Sequence, residues 1–187
     1  YREQLEENLF SSRQFICYSA FFTETAAQWL LKKRNFSNED RLLIRALPAD
    51  FAAGACSFAA IRFVLKSGLS VRMSSALHAK IYAFDDCVFA GSANLTAKGL
   101  ALTENYNQEL GTRSELEEKD RALLDHLWSQ GTLLDEAKIN KMEEFLRNSI
   151  KISVPVSDLS VSWPSHIIHE NRDLYCSDFP QDYPSDD

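Results

Sequence analysis

The sequence predicts an α/β layered domain. Short uncharged runs of branched and aromatic residues alternate with amphipathic runs of helical period over residues 1 to 110. Turn and cap residues separate the two kinds of run, and 45% of the 187 residues are hydrophobic, enough to bury one sizeable core. The simplest organisation is one domain over residues 1–150, followed by an extension of different character over residues 151–187.

Glu3 to Phe10 reads as an amphipathic helix with Leu5, Leu9 and Phe10 turned inward. Gln14 to Phe22 is rich in aromatics and carries no charge, which predicts a buried strand. Thr23 or Thr25 caps the next helix, Glu24 suits its first turn, and Lys32, Lys33 and Arg34 suit its C-terminal end. Arg41 to Leu47, between Asp40 and Pro48, is a second strand, and Pro48 to Gly54 a loop. Ser57 to Lys66 is a helix that Ser67 and Gly68 terminate, and Leu69 to Met73 a third, short strand. A hairpin from Leu77 to about Ala93 follows. Two helical runs, near Glu115 to Gln130 and near Leu133 to Asn148, are separated by Gly131. Lys151 to Val161 alternates weakly and reads as an edge strand interrupted by Pro155. From Trp163 onward, three prolines and five aspartates predict an extended or disordered arm.

The hairpin carries the chemistry. His78 and Lys80 share one strand face with Tyr82 and Phe84, while Leu77, Ala79, Ile81 and Ala83 form an apolar opposite face. Lysine is rarely buried without a partner, so Lys80 beside His78 indicates an anion site. Asn94 and Ser92 can donate neutral hydrogen bonds to a phosphate oxygen, and glycine at Gly91 lets backbone N–H groups approach closely. A nucleophile, cationic stabilisation of equatorial oxygens and no obligatory metal are what phosphodiester cleavage requires.

His78-x-Lys80-x4-Asp85 followed by Gly91-Ser92-x-Asn94 resembles the HKD motif of the phospholipase D superfamily. The wider run, from Leu77 through Thr96 to Asn107-x-Glu109-Leu110-Gly111, is most similar to the single-motif, nuclease-type members. The spacing departs from the usual pattern twice. Five residues rather than six separate Asp85 from Gly91, and Gly-Ser-x-Asn stands where Gly-Ser-x-x-Asn is common. The role of Asp85 is therefore less defined than that of His78, and a turn role beside Asp86 is its alternative.

The resemblance implies a phospholipase D-like mixed β-sheet sandwiched between helices. It implies that His78 attacks phosphorus to give a phosphohistidine, with Lys80 and Asn94 holding the non-bridging oxygens. Glu109 matches a recurring acidic position, whose implied work is to orient His78 through its second ring nitrogen; its alternative is a solvated strand-end glutamate. Arg45 and Asp50 resemble a recurring Arg…Asp pairing near such a cleft and join Ser92 as substrate-site candidates. Superfamily chemistry takes two motifs, one histidine as nucleophile and one as general acid. This sequence has one, and a two-fold homodimer would supply the second.

The expected function is thus a homodimeric, metal-independent phosphodiesterase without cofactor, a nuclease acting on DNA or RNA. A restriction or phage-defence context rests on resemblance alone. Two other classes stay open: a phospholipase or phosphatidyltransferase acting on lipid, and a catalytically silent dimerisation or nucleic-acid-binding module. Small size and the lack of a tryptophan-rich hydrophobic loop weigh against the first, and intact His78, Lys80 and Asn94 against the second.

Net charge is −7, but Glu170 to Asp187 holds six acids and one base, leaving about −2 over the other 169 residues. A broad basic nucleic-acid face is disfavoured, whereas a local cationic cleft is compatible. No apolar run approaches the roughly 20 residues needed to span a membrane. Cys17, Cys56, Cys87 and Cys176 lack paired spacing, which suits a reducing, cytoplasmic setting. His126 falls on an amphipathic helix, and His166 and His169 lack a third ligand of clear spacing. The chain begins at Tyr1, so it is read as an excised domain, with a DNA-recognition or helicase module fused or associated.

Overall fold

The computed structural model describes residues 2–151 together with Trp163, Pro164 and Ile167. Of the expected edge strand over 151–161 only Lys151 is described, and it ends a helix; of the arm expected to be extended from Trp163 onward, Trp163 and Ile167 are instead buried, while the acidic residues, Cys176, His166 and His169 lie outside the described residues.

The chain runs α1 (Arg2–Ser11), β1 (Ile16–Ser19), α2 (Glu24–Lys33), β2 (Arg41–Ile44), α3 (Pro48–Ala52), α4 (Phe58–Lys66) and β3 (Ser70–Met73). It continues through β4 (Lys80–Ala83), β5 (Cys87–Gly91), β6 (Gly111–Glu115), α5 (Glu118–Gln130), β7 (Thr132–Leu133) and α6 (Glu136–Lys151). The seven strands form one sheet in the order β6-β5-β4-β1-β2-β3-β7. β1, β2 and β3 are parallel, and β4, antiparallel to β1, starts the meander into β5 and β6. The fold is therefore the mixed α/β sandwich expected from the sequence.

Alternation along the strands sorts residues between two cores. Cys17, Leu42, Ile44, Val71, Met73, Tyr82 and Phe89 face a large core closed by α1, α2, α4 and α6. Ile16, Tyr18, Leu43 and Ala83 face a smaller one, closed by Leu124, Leu127 and Trp128 of α5. Arg72 caps the end of α5, donating to the carbonyls of Trp128 and Gly131, and lies 4.9 Å from the centre of the Trp128 ring. Cys17, Cys56 and Cys87 are buried free thiols.

Four expectations need correction. Phe10 is not inward but 85% exposed, because the buried stripe of α1 is Leu5 and Leu9 alone. Pro48 to Ala52 is a helix rather than a loop: proline fits its first turn, and the Asp50 carboxylate accepts the Leu47 N–H at 3.1 Å. The run from Gly111 to Glu115 is strand β6 rather than loop and helix start, and two-residue β7 precedes α6.

Candidate active site

The parallel strands β1 and β2 end beside the start of antiparallel β4, since Ser19 lies opposite Lys80 in the ladder. His78 is in the extended lead-in to β4 and is exposed, whereas Lys80 is half-buried. Because β4 lies between β5 and β1, its first residues are fixed from both sides.

The Lys80 ammonium donates to the His78 carbonyl at 2.9 Å and sits 3.3 Å from Nδ1 and 3.2 Å from Nε2 of the His78 ring. A point nearly equidistant from both ring nitrogens lies over the ring face, not along either in-plane lone pair. Both nitrogens thus keep their in-plane directions, one for attack and one for an orienting partner. Burial lowers the pKa of Lys80 from its ordinary value, the Arg45 charge lowers it further, and Glu109 opposes both.

Asn94 is held by the end of β1. Its side-chain oxygen accepts from the Phe21 N–H at 3.3 Å and the Ser19 hydroxyl at 3.4 Å, which leaves the amide NH2 as a donor. The turn that carries it is tied down independently. Buried Ser19 accepts the Leu95 N–H at 2.8 Å, Leu95 bridges to Phe22, and Thr23 accepts the Ala97 N–H at 3.1 Å. Thr23 does stand at the N-cap of α2, but its hydroxyl serves this turn rather than the helix. A Cβ on Gly99 would lie 2.4 Å from the Asn94 carbonyl, so glycine there sets the position of Asn94 from behind. Ser19 and Gly99 were not singled out in the sequence, and Thr23 was singled out only as a helix cap. The contacts that give them a role join residues some 75 positions apart or need the folded turn.

Arg45 follows β2 directly. It donates to Asp50 from Nε at 2.9 Å and from Nη2 at 2.5 Å, and its guanidinium lies 4.8 Å from the centre of the Phe21 ring. The bidentate pair has a buried carboxylate, whereas Arg45 keeps 21% of its side chain exposed. His78, Lys80, Asn94, Arg45 and Asp50 therefore converge on one end of the sheet.

The other candidates are placed differently. Asp85 lies beyond the far end of β4, seven residues and roughly 20 Å from His78 along an extended chain. There it accepts the N–H groups of Arg13 at 2.8 Å and Gln14 at 2.9 Å, and fixes the turn between α1 and β1. Burial would raise its pKa, but those bonds and the Arg13 and Arg34 charges outweigh it and hold the carboxyl below its usual value. Its carboxylate thus serves the turn before β1, at the end of β4 away from His78. Glu109 accepts from the Ser92 hydroxyl and, at 3.0 Å, from the Asn107 amide, so its carboxylate is engaged with these groups rather than with the His78 ring of its own chain. Ser92 donates its proton to Glu109 and accepts the Leu110 N–H at 3.0 Å, and so braces the start of β6 instead of presenting a free donor. Gly91 is required by the sheet: a Cβ there would stand 2.4 Å from the Leu110 carbonyl oxygen on the paired chain. His126 is exposed on α5.

Among the described residues, no group of three His, Cys, Asp or Glu side chains is gathered as a metal site. No described helix is long and apolar enough to cross a membrane.

Sheet order, helix placement and the position of the His-x-Lys strand together define a phospholipase D-like fold. Among solved structures, the chain is similar to Nuc, a phospholipase D family member from Salmonella typhimurium. The TM-score is 0.54 at 23% identity, over 72% of this chain and 91% of that one. It is also similar to phosphatidylserine synthase from Haemophilus influenzae Rd KW20. There the TM-score is 0.51 at 15% identity, over 80% of this chain but 40% of that one. No family model and no curated protein matches the sequence.

Proposed function

We propose that this chain is a phospholipase D superfamily phosphodiesterase, and specifically a nuclease that cleaves through a phosphohistidine at His78. The observation that carries the reading is the Lys80 ammonium held over the face of an exposed His78, with the amide of Asn94 fixed at the same sheet end. The fold likeness supports it, and the share of the partner covered bears on assembly. One copy of this chain spans 91% of Nuc but only 40% of the phosphatidylserine synthase, which has length left for a second such unit.

In the proposed reaction an unprotonated ring nitrogen of His78 forms a bond to phosphorus, and the bond from phosphorus to the leaving oxygen breaks. Lys80 and the Asn94 amide offset the charge on the non-bridging oxygens, and Arg45 adds a second cation at the rim. The leaving oxygen takes a proton from His78 of the partner subunit, since this chain offers a single His-x-Lys pair. Water then gives that proton back to the partner's His78 as it attacks phosphorus, and the phosphorus–nitrogen bond breaks. Charge stabilisation comes from side chains throughout, so no metal is required. The restriction or phage-defence setting rests on the sequence resemblance.

The test is cleavage of DNA and RNA in EDTA, with phosphatidylcholine hydrolysis as the contrasting arm. Wild type should cleave nucleic acid, and His78→Ala should fall by several orders of magnitude with its fold intact. Activity restored only by magnesium or manganese, or confined to lipid, would replace this reading.

A further inference from the structure

Trp163, a described residue beyond α6, makes contacts that the proposed chemistry does not use. Trp163 is 2% exposed, and its indole N–H donates to the Ala46 carbonyl at 2.6 Å, across 117 residues of sequence. Its ring meets Phe51 of α3 and Phe145 of α6 edge-on, at 6.0 and 5.6 Å. Ala46 is itself unusual, since it is fully buried with φ of +50°, a left-handed conformation that disfavours a residue with a Cβ. It separates Arg45 from Leu47, and Asp50 receives both the Arg45 guanidinium and the Leu47 N–H.

We propose that Trp163 is a positioning residue for the cleft: its indole N–H holds the strained Ala46 peptide in the turn that keeps Arg45 on Asp50 and beside Lys80. Without that N–H, a buried carbonyl would lose its partner in a conformation already costly to adopt. The cheapest relaxation is rotation of the Ala46–Leu47 peptide, which draws the Leu47 N–H away from Asp50 and loosens the Arg45 tether. Arg45 is one of the two influences that depress Lys80, so the effect reaches the catalytic lysine through charge. The inference rests on the phosphodiesterase reading for its consequence in turnover, but not for its structural content.

The test uses the full chain and compares wild type, Trp163→Phe and Phe145→Leu. The Phe variant removes the N–H together with one of the two fused rings, whereas Phe145→Leu trims the same aromatic cluster, leaves the N–H in place and so controls for lost packing. Three quantities are read: proton exchange at Arg45 Nε–H by NMR, binding of inorganic phosphate, and kcat and KM separately. Trp163→Phe should speed Arg45 Nε–H exchange, weaken phosphate binding by about tenfold and raise KM more than it lowers kcat. Phe145→Leu should lower Tm without moving these quantities. Unchanged Arg45 exchange and phosphate binding in Trp163→Phe would overturn the proposal, as would an equal response in Phe145→Leu. In wild type alone, the Trp163 Nε1–H resonance should shift as phosphate saturates the cleft, and a static resonance also counts against the latch. If wild type cleaves no nucleic acid while Arg45 and phosphate still respond to Trp163→Phe, the functional reading fails and the latch stands.

Discussion

At the scale of single residues, the pair with most consequence is Lys80 and Arg45. In the proposed reaction Lys80 carries its proton to offset charge on the phosphate oxygens, and burial followed by the Arg45 charge makes that proton easier to lose. Activity should therefore fall as pH rises through a value below the ordinary lysine figure of 10.5. In Arg45→Gln the alkaline limb of kcat/KM should move to higher pH while its plateau drops, and in Glu109→Gln the limb should move lower. A pH profile of the three proteins checks both signs. The His-x-Lys pair was legible because a two-residue spacing fixes the face of a strand whatever surrounds it. Asp85, Ser92 and Glu109 were placed by spacing as well, but their work depends on partners. Asp85 sits at the end of β4 away from His78 and bonds Arg13 and Gln14, and the hydroxyl of Ser92 donates to Glu109.

Among the elements, the hairpin of β5 and β6 decides whether the motif turn is held. Gly91 pairs with Gly111, and a methyl group on it would meet the Leu110 carbonyl at 2.4 Å, closer than any side chain tolerates. Gly91→Ala should cost about 2 kcal/mol of stability, as overpacking against a rigid partner does. Urea unfolding measures this, and the loss should come with release of β6, seen as faster amide exchange over residues 111–115. Sequence patterning found β1 to β5 and five of the six described helices because each carries apolar residues at the period of its type. It missed β6, whose five residues contain no large apolar side chain and are exposed throughout. It also read α3 as loop, giving weight to Pro48 as a breaker when proline at a first turn favours a helix.

For the whole molecule, the question under the proposed reading is how one His-x-Lys pair serves a reaction that draws on two histidines. In the proposed reading each cycle draws one histidine from each of two copies, so activity should depend on pairs rather than on chains. When His78→Ala subunits exchange with wild-type subunits, hybrids with one histidine should retain far less than half the activity. Cleavage measured across mixing ratios should then follow the square of the wild-type fraction, and a linear dependence would indicate independent sites. The layered architecture was legible from composition and alternation. The pairing of distant ends was not, because which loop meets which helix is set by sheet order, and no local pattern encodes it.

The bond between Trp163 and Ala46 also has a meaning in time. At a synthesis rate of roughly 5–20 residues per second, Ala46 waits about 6 to 23 s for the residue that satisfies its carbonyl. By then all seven described strands of the sheet have been made, yet in the proposed latch the loop holding Arg45 still lacks the Trp163 bond.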